Sequence, residues 1–288
     1  MTSDHARLAL QEELSAAAKP GEASQALPPK IEVRNVSKTF RVNGQIFHAL
    51  QGINLHAREQ EFVTLIGPSG CGKSTLFNVI SGLLQPDDGE VCIDGRCVAS
   101  RLGRIGYMPQ KDLLLPWRTV LDNVVLCAEL NGVPRQERYR RARELLPLFG
   151  LEGFASSYPA ALSGGMKQRA ALLRTFLCQQ EVVLLDEPFG ALDAITRIEM
   201  QEWLLEVWES FRRTILFITH DVQEAVFLSD RVYVMSPRPG RISLEVQVDF
   251  PRPRHHRIVS DPRFVALREQ LFDALKRDNH EQQAGLWL

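Results

Sequence analysis

Apolar and polar positions change their period several times along the chain, and each change marks an element. Ile31, Val33 and Val36 give a first strand-like pattern, Asn43-Gly44 a turn, and Ile53 and Leu55 a second strand. Glu61–Ile66 is instead a nearly continuous apolar run that ends in glycines, the pattern of a parallel strand covered on both faces and feeding a loop. The spacing predicts a helix over Lys73–Ser81, a turn at Asp87-Asp88-Gly89, and a hairpin at Asp94-Gly95 between Val91–Ile93 and Arg96–Val98. From about Thr119 to Cys178 the period becomes helical. There Tyr139, Ala142, Leu145, Leu146 and Phe149 recur at helical spacing, Pro147 kinks or shortens the last turn and Gly150 stops it. Strand-like runs return at Val182–Asp186, Ile215–Thr219 and Arg231–Met235. A helix over about Asp193–Phe211 carries Trp203, Leu204, Val207 and Trp208, which read as core or as a subunit contact.

Strands that alternate with helices imply fold class α/β, with a mostly parallel sheet and helices on both faces. Residues 1–30, rich in Ala, Gln, Glu and Ser, read as a flexible extension in which Leu8, Leu10 and Leu14 line one side of a short helix. Residues 31–260 then form the main domain, with a helical insertion at about 111–178, and 261–288 a C-terminal helical tail.

Composition narrows the picture. With 44% hydrophobic and 24% charged residues in 288, the chain has material for a sizeable core. A formal net charge of −1 gives no sign of a nucleic-acid partner. No apolar run approaches the roughly 18 residues that span a bilayer, and the opening residues show no basic–apolar–cleavage pattern. Glu12, Glu13 and Glu22 argue against an acid-poor transit peptide. Five cysteines (Cys71, Cys92, Cys97, Cys127, Cys178) without a CxxC pair or a secretion signal lead to the expectation of reduced thiols. Arg252, Arg254, His255, His256 and Arg257 form a basic cluster, read either as a solvated face or as a contact for anionic lipid headgroups.

Two segments carry chemistry. Gly67-Pro68-Ser69-Gly70-Cys71-Gly72-Lys73-Ser74 fits G-x-x-x-x-G-K-[ST] between a buried strand and a helix. Its glycines let successive N–H groups converge on one anion, and the helix after it adds its positive end. Lys73 brings a full charge to the β- and γ-phosphates, the Ser74 hydroxyl can ligate Mg²⁺, and Thr75 follows in the first helical turn. Val182–Asp186 is an apolar strand that ends in two acids. On a strand parallel to the first, Asp186 comes beside the phosphate loop to hold Mg²⁺ through water, while Glu187 orients or deprotonates an attacking water.

Leu162-Ser163-Gly164-Gly165-Met166-Lys167-Gln168-Arg169 closely resembles the signature motif of ABC ATPases, with Met166 where the family often has Gln. The resemblance covers about residues 31 to 270. It implies the P-loop NTPase fold of ABC ATPases, in which an antiparallel β subdomain and an inserted helical subdomain flank the core sheet. It also implies ATP and Mg²⁺ as ligands. Two ATPs would be sandwiched in a head-to-tail homodimer, with Ser163, Gly164 and Gly165 facing the γ-phosphate held by the partner subunit. By the same resemblance Gln110 is the Q-loop glutamine that senses Mg²⁺ and water, and Asp193 belongs to the D-loop that links the two sites. His220 is the switch histidine at the γ-phosphate, although a lone histidine after a strand is more often structural. Phe40 stacks on adenine, with Phe47 as a weaker candidate.

Finer runs resemble the nitrate/sulfonate/taurine import group: Leu113–Val124, Ser236-Pro237-Arg238-Pro239-Gly240-Arg241-Ile242 and Asp261-Pro262-Arg263-Phe264. Tyr107–Leu115 is closer to its relatives that import pyrimidine precursors of thiamine. That resemblance implies separate transmembrane permease subunits, a periplasmic or lipid-anchored solute-binding protein, and a peripheral place on the cytoplasmic face of the inner membrane. Trp117 would then lie in a groove that receives a permease helix. The rival reading is a regulatory module whose ATP-driven dimerisation acts on a soluble partner.

Overall fold

The computed structural model describes residues 28–285, so the helix expected around Leu8, Leu10 and Leu14 lies outside the described residues. β1 (Ile31–Val42) and β2 (Gln45–Ala57) pair antiparallel around the Asn43-Gly44 turn. β4 (Asp88–Ile93) and β5 (Arg96–Cys97) complete a four-stranded sheet in the order β2-β1-β4-β5. The turn expected at Asp87–Gly89 is instead the bulged start of β4, with the register against β1 shifting between Arg34 and Ser37. The Asp87 carboxylate accepts from Lys38 Nζ at 2.6 Å and from Thr39 N at 2.6 Å, and the Lys38 bond first of all lowers its pKa to about 2. Lys30 is buried and paired with Asp94 at 2.7 Å and with Glu181, so ordered structure starts before Ile31.

The second sheet has six strands in the order β10-β9-β3-β8-β7-β6. They are β3 (Phe62–Ile66), β6 (Gly106–Met108), β7 (Val182–Asp186), β8 (Thr214–Thr219), β9 (Arg231–Met235) and β10 (Ile242–Gln247). All neighbours run parallel except β10, which is antiparallel to β9. The continuous apolar runs have a simple cause: side chains alternate between two buried cores. Phe62, Ile66, Val183, Leu185 and Phe217 enter one, and Val63, Leu65, Val182, Leu184 and Ile218 the other. Each such side chain contributes roughly 1.5–3 kcal/mol on burial.

Between β6 and β7 lie α2 (Val120–Val124), α3 (Leu126–Leu130), α4 (Arg135–Leu145) and α5 (Gly164–Phe176), after α1 (Lys73–Ser81) has followed β3. α6 (Ala194–Phe211) follows β7, α7 (Val222–Leu228) follows β8, and α8 (Pro262–Gly285) lies near the end. The α6 tryptophans are core: Trp208 is buried against Phe62, and Trp203 packs on Phe149 and donates to Leu148 O at 2.9 Å.

Two further expectations fail, one of them in part. In the basic cluster His255 and Arg257 are exposed, but Arg252 and Arg254 do not belong to a free face. Arg254 is buried, donating to the carbonyls of Phe227 and Ser229 at 3.0 and 2.8 Å, and burial lowers its pKa to about 10. Arg252 lies over Trp208 at 4.1 Å and pairs with Asp230 at 2.8 Å. The cysteines are not all reduced. The β4–β5 hairpin sets Cys92 opposite Cys97, and α3 brings Cys127 to Cys178, making two disulfides and leaving Cys71 free. Pairing depends on Cα approach, 5.4 Å for Cys127–Cys178, which residue counts do not reveal.

Candidate active site

β3 runs into the phosphate loop and α1 leaves it. Gly72 joins them at φ +113°, and a side chain there would come within 2.9 Å of both Ala49 O and Leu50 Cδ2. No side chain caps α1, so its first N–H groups stay available to an anion. Lys73 is buried and donates to Gly67 O at 2.8 Å and Pro68 O at 3.0 Å, which holds its charge inside the curl. Pro68 O also accepts from Cys71 N at 3.3 Å and closes the turn. Ser69, Gly70 and Ser74 are exposed and Thr75 is half-buried. The Cys71 thiol is buried, and burial pushes its pKa up against the pull of Lys73.

Asp186 ends β7 with only 4% of its surface exposed. Burial raises its carboxyl above the usual range, against the lowering influence of the Ser74 hydroxyl and the Lys73 charge. Tyr107 Oη lies 3.5 Å away. Among the described residues no lysine, arginine or histidine pairs with Asp186 within 4.0 Å. A buried carboxylate without a cation, beside a serine hydroxyl, is a hard-oxygen donor set that fits Mg²⁺.

Glu187 turns away from its neighbour through a left-handed backbone, φ +46°, uncommon for a residue with a side chain. Its Oε2 then lies 3.2 Å from Gln110 Nε2 and 3.4 Å from His220 Nδ1. Gln110 follows β6 and His220 follows β8, the two strands that flank β7. Three residues far apart in sequence thus converge on one oxygen. The Gln110 amide is on Glu187, not on Asp186 or Ser74, with which it makes no hydrogen bond.

The other candidates sit elsewhere. Ser163 caps α5, its Oγ accepting from Met166 N at 3.3 Å, and Ser163 and Gly164 are exposed. Gly164 and Gly165 lie beside Leu192 and Thr196. Asp193 caps α6, accepting from Ile195 N and Thr196 N at 3.1 Å each, and the Thr196 hydrogen bonds hold its carboxyl below the usual range. Within the described residues no hydrogen bond joins this group to the phosphate loop. Phe40 is half-buried on β1 opposite Phe47 on β2. Two residues beside the site had no signal of their own in the sequence. Arg238 donates to Gly70 O, and Glu224, one turn beyond His220, is buried.

The profile of the family described as ABC transporter matches residues 50–190. An uncharacterized ABC transporter ATP-binding protein of Methanocaldococcus jannaschii is 46% identical over 247 residues, 86% of this chain and 91% of that protein. The chain belongs to the ABC transporter ATP-binding proteins. It is an ABC transporter ATPase with the α/β fold of that family. The taurine import ATP-binding protein TauB of Rhizobium johnstonii is 45% identical, covering 79% of this chain and 89% of its own. The nitrate import ATP-binding protein NrtD of Synechocystis is 40% identical, covering 88% and 98%. A dimeric ATP-binding cassette solved in a post-hydrolysis state with ADP and Pi superposes with a TM-score of 0.67 at 33% identity, over 77% of this chain and all of that one. As an ABC ATPase the chain binds ATP or ADP. Among its described residues no helix is long and apolar enough to cross a membrane.

Proposed function

We propose that this ATPase energises import of a small polar solute, of the taurine or nitrate kind, through separate transmembrane permease subunits. The similarity to TauB and NrtD supports the solute class. It works as a head-to-tail homodimer on the cytoplasmic face of the inner membrane, with a solute-binding protein in the same system. The dimeric relative supports the pairing, and the exposed Ser163-Gly164 at the N-terminus of α5 supplies anion-binding N–H groups for the partner's γ-phosphate.

The convergence of Gln110 and His220 on Glu187 carries the mechanism. Glu187 takes the proton of the attacking water. Gln110 and His220 orient its carboxylate, and His220 donates to the γ-phosphate as charge develops there. Lys73 and the first amides of α1 hold the phosphates, and Phe40 stacks on the base. Ser74 and Asp186 would hold Mg²⁺, with Gln110 as a further candidate ligand, and the ion would supply positive charge to offset that of the phosphates. Domains divide at 31–260 for the ATPase and 261–288 for the tail.

Glu187→Gln keeps the shape and removes the base. Expected are ATP binding within about twofold of wild type, hydrolysis lower by at least about a hundredfold, and a dimer that persists with ATP in size-exclusion chromatography. Hydrolysis at the wild-type rate would falsify the assignment of the base.

A further inference from the structure

The loop between β9 and β10, residues 236–241, is a second wall of the phosphate loop. Gly240 N donates to Ala49 O at 3.0 Å, Gly240 O accepts from Gln51 N at 2.9 Å, and Ser236 N donates to Arg241 O at 2.9 Å. Gly240 itself touches the phosphate loop so closely that a side chain there would collide with the Cys71 carbonyl and meet Met235 Cε at 2.7 Å. The loop therefore has a fixed position relative to the nucleotide-binding curl.

Arg238 stands at its tip. Its Nε donates to the Gly70 carbonyl, and its guanidinium carbon lies 4.3 Å from the centroid of the Phe47 ring. Phe47 is the cross-strand partner of Phe40. Among the described residues no carboxylate pairs with Arg238, and its two Nη groups make no hydrogen bond. A surface arginine is ordinarily a mobile chain. Here stacking and the carbonyl bond have fixed it in advance, which lowers the entropic cost of a further contact. The result is an unpaired, preorganised cation at the rim of a loop built for anions.

We propose that Arg238 is a nucleotide-binding residue, its guanidinium resting on Phe47 and Gly70 while an Nη group donates to a phosphate oxygen of the nucleotide. Arginine suits this task because its planar fork keeps donors free when one edge is already engaged. The proposal rests on the nucleotide lying in the phosphate loop, and the controls separate the two. ATP, ADP and adenosine binding are measured by calorimetry on the full chain for wild type, Arg238→Ala, Arg238→Lys and Lys73→Ala. Losing one charge-assisted hydrogen bond weakens ATP and ADP about tenfold or more in Arg238→Ala. Adenosine, which has no phosphate, binds as in wild type, and Arg238→Lys recovers part of the loss. ATP binding of Arg238→Ala within twofold of wild type, with Lys73→Ala defective, overturns the role of Arg238 alone. Equal weakening of adenosine also overturns it, since Arg238 would then merely brace the Phe47 platform. Undiminished ATP binding by Lys73→Ala overturns the phosphate-loop reading itself. If Arg238→Ala does not fold, Arg238→Gln removes the charge and keeps the bulk, and the same thresholds apply.

Discussion

Glu224 should make the stability of this ATPase depend on pH in a way one substitution removes. The residue lies on α7, 4% exposed, one turn after the switch segment His220-Asp221. Burial pushes its carboxyl up from an ordinary 4.5 to about 7, with the Asp221 charge adding to the rise. Hydrogen bonds from Thr219 and from Gln201 Nε2, the latter at 2.9 Å, and the charge of Arg197 oppose it without cancelling it. The folded chain therefore holds a proton between pH 4.5 and 7 that the unfolded chain has lost. Stability from this group is fully present below about 4.5 and is lost as pH rises through about 7, a change of about 3 kcal/mol. Glu224→Gln fixes the neutral form: its oxygen accepts from Gln201 and its amide faces Thr219. Urea denaturation of both proteins at pH 5 and pH 8 isolates the contribution, because every other titrating group is common to the two. The variant should match wild type at pH 5 within about 1 kcal/mol and exceed it at pH 8 by about 2–3 kcal/mol. A difference that does not change between the two pH values would refute the burial argument.

Trp117 is 72% exposed between β6 and α2. Trp117→Ala should leave ATP affinity and the unfolding midpoint unchanged but weaken co-purification with permease subunits; unaltered co-purification would remove this surface from the docking site. Titration with a thiol reagent in denaturant should find one thiol without reductant and five after reduction, since only Cys71 is unpaired. In the folded protein Cys71 should react far more slowly than an exposed thiol and faster as pH rises, because burial both shields it and raises its pKa. Rapid labelling at pH 7 would show that the phosphate loop opens.

What could be read from the sequence was local chemistry. The phosphate loop declares itself because its glycines, lysine and serine act within eight consecutive positions, and β3, β7 and β8 declare themselves because a doubly covered strand must be apolar throughout. Where contacts are distant, the pattern misled. A run of arginines and histidines reads as solvated, yet Arg254 lies under four carbonyls from chain segments up to 27 residues away. No strand is predicted at the alternation Ile242-Ser243-Leu244-Glu245-Val246, yet it forms β10. Arg238 has no signal of its own in the sequence, because nothing in Pro-Arg-Pro says that its partners are Gly70 and Phe47.

The strand order explains why the catalytic candidates could be named singly but not assembled. Asp186 and Glu187 are consecutive, so a regular strand would turn their carboxylates to opposite faces. The left-handed backbone at Glu187 ends that alternation and turns its carboxylate to a point between the ends of β6 and β8. Such a conformation costs of order 1 kcal/mol or more and persists only where surrounding contacts hold it. Here Glu187 N donates to Ile218 O at 3.0 Å, and Gly190 N to Glu187 O at 3.1 Å. The strain is thus retained by β8, the strand that also leads into His220. Displacing β8 relative to β7 would therefore shift the histidine and the bond that holds the Glu187 backbone together. In this arrangement, a movement of the switch segment reaches Glu187 through the backbone as well as through the imidazole.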